Sequence, residues 1–430
     1  MIGQGWWSAL RRAGVPSQGP PAISARAAGS NINAVEAASS SPRWEEDALG
    51  FLIAPVEPKA FLDEHYERRA LINVRGEPRR YADLLTLEAL DHFIASADLR
   101  EGMIDLTSQK QRISRDSYVD EQGRIGAAAI AEHYLRGATI ILPHLHDSMF
   151  NLGEFCRSLE EVFSCHVQTN IYLTPSGNQG FPPHYDNHDV FVMQISGAKA
   201  WRLYGVPVEI PYRGEQFELG RHEPGEVTER FTLGPGDCVY IPRGLMHDAE
   251  NVGDEPSLHI TVGLITKTWA DLMLEAVSEL ALSEPGFRRS LPAGFAARAF
   301  DREAARGHFA ALARSVAEKT SMDSAFDLLA DNFTRARRPT VAGVIAAAPR
   351  VGADDRFRRR RFLPWNVADD DGKLVLIGPG GDLEFREQDG DALDVALSGA
   401  PFAPADLPCE EPLDLVRTLW AAGYLERLDK

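Results

Sequence analysis

A chain of 430 residues, 44% hydrophobic and 25% charged, has the composition of a globular protein of two or three domains, which excludes fibrous, collagenous and wholly disordered classes. Against 63 Asp and Glu there are 45 Lys and Arg, a formal net charge of −18, so the average surface repels a phosphate backbone and nucleic acid is not an expected partner. The longer apolar runs, such as Val341 to Ala348, fall far short of the ~20 residues a membrane-spanning helix requires.

The four cysteines, Cys156, Cys165, Cys238 and Cys409, show neither CxxC nor zinc-finger spacing, which fits a reducing cytoplasm. Residues 1–43 carry Arg11, Arg12, Arg26 and Arg43 against Glu36, in a background of Ala, Gly, Ser and Pro. This composition is that of a disordered extension, with an echo of an organelle transit peptide.

Ordered sequence begins near Trp44, and Leu84, Leu85, Leu87, Leu90 and Phe93 set a helical period. From Gln168 to Ile265 the rhythm becomes short alternating segments broken by Gly and Pro: Asn170 to Thr174, Val190 to Ile195, Ala200 to Val206, Cys238 to Ile241 and Leu258 to Leu264. That pattern predicts an all-β barrel or sandwich. After Thr268 the helical period returns in Leu272, Leu274, Val277 and Leu280, and Ala-rich sequence runs from Arg302 through Ala347. The tail opens on Arg358 to Arg361, reads as strands at Leu374 to Ile377 and Leu383 to Arg386, and closes on an amphipathic helix through Leu413, Val416, Leu419 and Trp420. Its 17 acids against 10 Lys and Arg over residues 351–430 argue against a DNA-binding surface, and the four arginines read as a solvated linker or a dock for an anion.

The chemistry is concentrated in Phe181-Pro-Pro-His184-Tyr-Asp186-Asn-His188-Asp189. On extended backbone, residues two apart face the same way, so the His184 imidazole and the Asp186 carboxylate can converge on one metal ion. A second stretch, Gly236-Asp-Cys-Val-Tyr-Ile-Pro242-Arg-Gly244-Leu-Met-His247-Asp-Ala-Glu-Asn251, resembles the second motif of the cupin superfamily at its Gly, Pro, Gly, His and Asn positions. That resemblance implies that His247 faces the first motif inside a barrel and completes a two-histidine, one-carboxylate triad. Three ligands on one face leave coordination positions open and suit non-haem Fe(II), whereas structural zinc takes four protein ligands; the residues also admit catalytic zinc or manganese. Lys199 shares a strand face with Trp201 and Leu203. Were that face interior, the ammonium would need an anionic partner such as the distal carboxylate of a metal-chelating dicarboxylate; at a strand end it would reach solvent instead.

Asn170-Ile-Tyr172, the run through His184 and Asp186, Gln194-Ile-Ser-Gly197-Ala-Lys199-Ala-Trp201 and Ser257-Leu-His259-Ile-Thr261-Val-Gly263 together resemble the Jumonji-C-type ribosomal oxygenases. The resemblance covers nearly everything after Trp44. It implies a double-stranded β-helix catalytic domain at 44–266, a helical dimerisation region at 267–350 and a winged-helix-like domain at 351–430. It further implies Fe(II), 2-oxoglutarate and dioxygen as cofactor and cosubstrates, and a homodimer. His184, Asp186 and His247 become the iron ligands, Lys199 the group that holds the distal 2-oxoglutarate carboxylate, Asn170 a neighbour of iron and cosubstrate, and Tyr172 a residue facing an entering peptide. Trp201 reads as a pocket wall, and His188, His259 and Asp248 as hydrogen-bonding or structural groups. His144-Leu-His146 lies ahead of the barrel and outside the site.

The expected reaction is hydroxylation of a protein side chain, an arginine or histidine of a ribosomal protein. The same chemistry on a peptide natural product or another protein, demethylation included, and a non-catalytic cupin scaffold are the alternatives. Intact ligands and Lys199 weigh against the scaffold.

Overall fold

The computed structural model describes residues 42–215, 217–347 and 351–428. The predicted basic extension therefore lies outside the described residues except for Pro42 and Arg43.

Ten strands build the N-terminal part: β1 (Leu71–Asn73), β2 (Asp105–Thr107), β3 (Thr139–Pro143), β4 (His166–Thr174), β5 (Asp189–Ser196), β6 (Ala198–Leu203), β7 (Glu229–Leu233), β8 (Cys238–Ile241), β9 (His247–Val252) and β10 (Ser257–Ile265). They form two antiparallel sheets, a seven-stranded one ordered β1-β8-β5-β10-β4-β3-β2 and a three-stranded one ordered β7-β6-β9. Five short helices precede or interrupt the sheets: α1 (Ala48–Ile53), α2 (Pro58–Glu64), α3 (Leu87–Ser96), α4 (Ala127–Leu135) and α5 (Phe150–Phe163).

Alternation along the central strands divides the large sheet cleanly. Ile171 and Leu173 of β4, Phe191 and Met193 of β5, Cys238 and Tyr240 of β8 and Ile260, Val262 and Leu264 of β10 join one core with Phe51, Leu52, Phe61, Leu90, Phe155 and Leu159 of the helices. The residues between them face the other way, where Val190, Val192, Val239 and Ile241 meet Trp201, Leu203 and Leu233 of the small sheet. The period of two thus makes one face a helix-covered core and the other the lining of a barrel. This is the double-stranded β-helix expected from the motifs.

Strand existence was legible where alternation is strong, and Cys238–Ile241 agrees to the residue. The edge strands β1 and β2, three residues each, and β7, whose burial pattern is largely exposed, carry too little apolar signal to be read. Thr268 does start the next helix: its side chain and that of Asp271 cap each other's backbone at α6 (Trp269–Ser283). Helices α7 (Glu303–Lys319), α8 (Met322–Ala336) and α9 (Val344–Ala347) follow, and Leu272 and Ala276 of α6 pack on Ala325, Phe326 and Leu329 of α8.

The last part has its own core around Phe357, Leu376, Leu393, Val416, Leu419 and Trp420. It contains β11 (Phe357–Arg359) paired with β15 (Leu425–Arg427), a meander of β12 (Asn366–Asp370), β13 (Lys373–Gly378) and β14 (Gly381–Arg386), and helices α10 (Gly390–Leu397) and α11 (Pro412–Ala421). The arginine run is not a solvated linker. Arg358 pairs with Glu426, Arg359 donates to the Leu397 carbonyl at 2.9 Å and Arg360 to the Ala342 carbonyl at 2.5 Å, so three of the four fasten β11 into place. Charge density alone gave no sign of this, because the acceptors are mainly backbone carbonyls supplied by the tertiary fold. Among the described residues no helix is long and apolar enough to cross a membrane.

Candidate metal centre

The approach to His184 and the head of β9 are tied backbone to backbone. His184 N–H donates to the His247 carbonyl at 3.0 Å, His247 N–H to the His184 carbonyl at 2.8 Å, and Gly244 N–H to the Asp186 carbonyl at 2.9 Å. Gly244 takes φ +85°, and a Cβ there would lie 2.2 Å from the Val208 carbonyl oxygen. Only glycine meets both conditions, which is the physical content of that motif position.

His184, Asp186 and His247 consequently present ligand atoms that all lie within 4.8 Å of one another, the one such group of three His, Cys, Asp or Glu found among the described residues. Both imidazoles are oriented by their own backbone: Nδ1 of His184 lies 2.9 Å from the Pro182 carbonyl and Nδ1 of His247 3.0 Å from the Leu245 carbonyl. A carbonyl only accepts, so Nδ1 carries the proton and Nε2 is left bare for a metal. Burial, with repulsion from His184, lowers the His247 pKa to about 4, keeping it neutral and ligand-ready at neutral pH. Burial would raise the Asp186 carboxyl, but the His247, His184 and His188 imidazoles outweigh it and hold the group below its ordinary value.

Lys199 sits on the interior face of β6, 5% exposed, as its spacing from Trp201 and Leu203 predicted. No ion pair or hydrogen bond holds its ammonium among the described residues, and burial lowers its pKa to about 7. The cavity it shares with the triad measures about 70 Å³ and is lined also by Tyr172, Phe181, Trp201, His259 and Thr261. Thr261 faces Asn170 and His259 faces Tyr172 across the β10–β4 register. Tyr172 stacks on His259 at 4.8 Å and meets the edge of Phe181 at 6.0 Å, so it spans from the rim of the cavity inward. His259, buried beside Lys199, is pushed well below the usual histidine range by burial and then by that neighbouring charge. It lines the cavity, a placement its spacing on β10 shared with Thr261 could have signalled.

His188 and Asp248 lie outside the triad. His188 packs against Gly263, where an added Cβ would come within 2.7 Å of the ring. His144 and His146 stand in a different cavity with Arg157, Glu160 and Arg337, away from the triad.

One supporting group was not read from the sequence. Asp189, fully buried, accepts from the Tyr240 hydroxyl at 2.6 Å and from Arg243 at 2.6 Å, and Arg243 also pairs with Glu67 at 2.6 Å. These bonds pin the residues just after Asp186 to those just before His247. An acid heading a strongly apolar strand was the available signal, since such a group requires partners.

The JmjC domain family matches residues 145–272. Ribosomal oxygenase 1 of Gallus gallus is 34% identical over 260 residues, 59% of this chain and 43% of its own length. The bifunctional lysine-specific demethylase and histidyl-hydroxylase NO66 of Dictyostelium discoideum is 34% identical over 284 residues, 61% of this chain and 53% of its own. The chain thus spans about half the length of these two curated relatives. Ribosomal oxygenase 1 of Homo sapiens is 30% identical over 444 residues, covering 90% of this chain and 68% of that protein. With the JmjC domain matched and a relative 30% identical aligned over 90% of this chain and 68% of its own length, the chain belongs to the JmjC-type ribosomal oxygenase family.

Proposed function

We propose that this protein is an Fe(II)- and 2-oxoglutarate-dependent oxygenase that hydroxylates a protein side chain, an arginine or histidine of a ribosomal protein. The observation that carries the reading is one cavity holding a three-ligand site and a buried lysine unpaired among the described residues. Two imidazoles and one carboxylate fit Fe(II) and leave positions for a chelating cosubstrate and dioxygen. Lys199 fits a second carboxylate on that cosubstrate, because an unpaired ammonium in this site is otherwise costly.

When bound, iron and 2-oxoglutarate would supply the oxidative chemistry, with succinate and carbon dioxide as cosubstrate products. The chain's part is positional. His184, Asp186 and His247 would hold the metal, Lys199 would orient the cosubstrate from the far end, and Asn170 would lie beside both. Val190, Val192 and Trp201 give the cavity its apolar wall, while Tyr172 near the rim would meet the entering side chain. A net charge of −18 favours encounter with a basic protein target.

The test is anaerobic addition of Fe(II) and 2-oxoglutarate, read by the charge-transfer absorption of the chelate, then air and a ribosomal protein extract, read by mass spectrometry. A chelate band and a peptide heavier by one oxygen atom are expected. No band would return weight to the scaffold alternative, and a peptide lighter by one CH2, a methyl replaced by hydrogen, would establish demethylation.

We further read 44–266 as the catalytic domain, 267–350 as a dimerisation region and 351–430 as a winged-helix-like domain whose excess of acids disfavours DNA. Support for a homodimer is the exposed apolar surface of the helical region: Trp269 is 72%, Leu282 80% and Phe309 75% exposed. The double substitution Trp269→Glu with Leu282→Glu is expected to halve the solution mass measured by light scattering; an unchanged mass would remove this face from the interface. The free cysteines, three of them buried, suit a reducing compartment such as the cytoplasm.

A further inference from the structure

The rim of the cavity is fastened from outside the barrel. Arg202 projects from the outer face of β6 and grips Asp248 of β9 with two bonds, Nε to Oδ1 at 2.7 Å and Nη2 to Oδ2 at 2.8 Å. Asp248 is 3% exposed and immediately follows the ligand His247. The same Oδ2 accepts from Nε2 of Gln179 at 3.3 Å, and that nitrogen also donates to the Phe181 carbonyl at 2.8 Å. Backbone contacts reinforce the join: Gln179 bridges Glu250, and Asn251 N–H donates to the Asn178 carbonyl at 3.1 Å.

Phe181 is the residue this arrangement holds. Its ring lies 5.6 Å from the His184 imidazole and 6.0 Å from Tyr172, and it is 37% exposed, so it forms the boundary between solvent and the triad. The connection between β4 and β5 has no other side chain bridging Phe181 to the barrel among the bonds described. Removing the Gln179 amide would leave this wall held by its neighbours, where Thr107 Oγ1 donates to the Gly180 carbonyl at 3.4 Å and His184 Nδ1 to the Pro182 carbonyl at 2.9 Å, and by its ring contacts, with no side chain bonded to Phe181 itself among the described residues.

We propose that Gln179 is a positioning residue: anchored through Asp248 to Arg202, it holds Phe181 closed over the metal triad, limiting water access and setting the approach of the target side chain. The proposal rests on the oxygenase reading for its chemistry and on the bonds above for its geometry. A closed aromatic wall matters because a site that admits water consumes cosubstrate without modifying a target.

The test compares Gln179→Leu, Phe181→Ala and the double variant. In metal-free protein, hydrogen exchange of the 177–183 backbone is expected to rise ~10-fold in Gln179→Leu with the β10 amides unchanged, as for a local opening. With Fe(II), 2-oxoglutarate and air but no protein target, succinate formation is expected to rise ~10-fold in each single variant, because an opened wall admits the water that lets cosubstrate be consumed without a target. The double variant should then be no worse than Phe181→Ala, since both changes act on one wall. Wild-type succinate rates in Gln179→Leu, or effects that multiply in the double variant, would overturn the role. Chelate absorption measured in all four proteins separates the cases: its absence from the wild type would sink the oxygenase reading, whereas its presence with unaltered loop exchange sinks only the fastening of Phe181.

Discussion

Asp186→Ala is expected to abolish cosubstrate turnover, by at least ~100-fold, the upper end of what is lost when a group that merely supports a metal ligand is removed. The loss should come with little change in stability, within ~1 kcal/mol in metal-free protein. The reason is local: the Asp186 side chain is 30% exposed and binds no backbone group among the described residues, while its carbonyl, which alanine retains, accepts the Gly244 N–H. Metal affinity measured by competition with a chromophoric chelator should fall in parallel, and succinate formation gives the rate. Wild-type turnover by the variant would place the metal elsewhere.

Lys199→Met should weaken 2-oxoglutarate binding ~100-fold or more, because breaking a buried charge pair costs about 3–5 kcal/mol. In the cosubstrate-free protein the same substitution should stabilise. The lysine pKa falls from 10.5 to about 7 on folding, and at pH 7 that displacement corresponds to ~5 kcal/mol as a ceiling. The sign follows from proton counting: between about pH 7 and 10.5 the unfolded chain holds a proton the folded one lacks, so stability rises with pH across this window and the penalty is fully present below it.

Cosubstrate binding should show the opposite trend. A carboxylate requires the charged ammonium, so above about pH 7 binding draws a proton from solvent and affinity falls toward ~10-fold per pH unit. Calorimetry at pH 8 in two buffers of different ionisation enthalpy measures that uptake. A flat pH profile, or an unchanged dissociation constant for Lys199→Met, would show that the carboxylate binds another group.

Legibility followed locality. His184 and Asp186 were readable as a pair because a period of two places them on one side of an extended segment, and Lys199 with Trp201 and Leu203 for the same reason. The Gly236 to Asn251 spacing carried His247 because the turns it encodes demand particular residues, as the Gly244 backbone shows. Phe181 opened the quoted motif with no role attached, and Gln179 lay two residues before it, since nothing in a loop's own sequence says which strand it lies across. The exposed faces of β2 and β7 likewise left no periodic trace.

By itself, then, the sequence determined the alternating strands, the helical segment after Thr268, the two ligand-bearing motifs and the acidic balance, all consequences of residue type and short-range spacing. The tertiary structure alone decided that the His184 and His247 segments share a backbone bridge and that Lys199 has no acidic partner among the described residues. It also decided that Asp189 joins Tyr240 and Arg243, and that Asp248 ties Gln179 to Arg202. Each of these depends on which strands pair and in what register, a choice made by burying the whole apolar face at once rather than by any one segment.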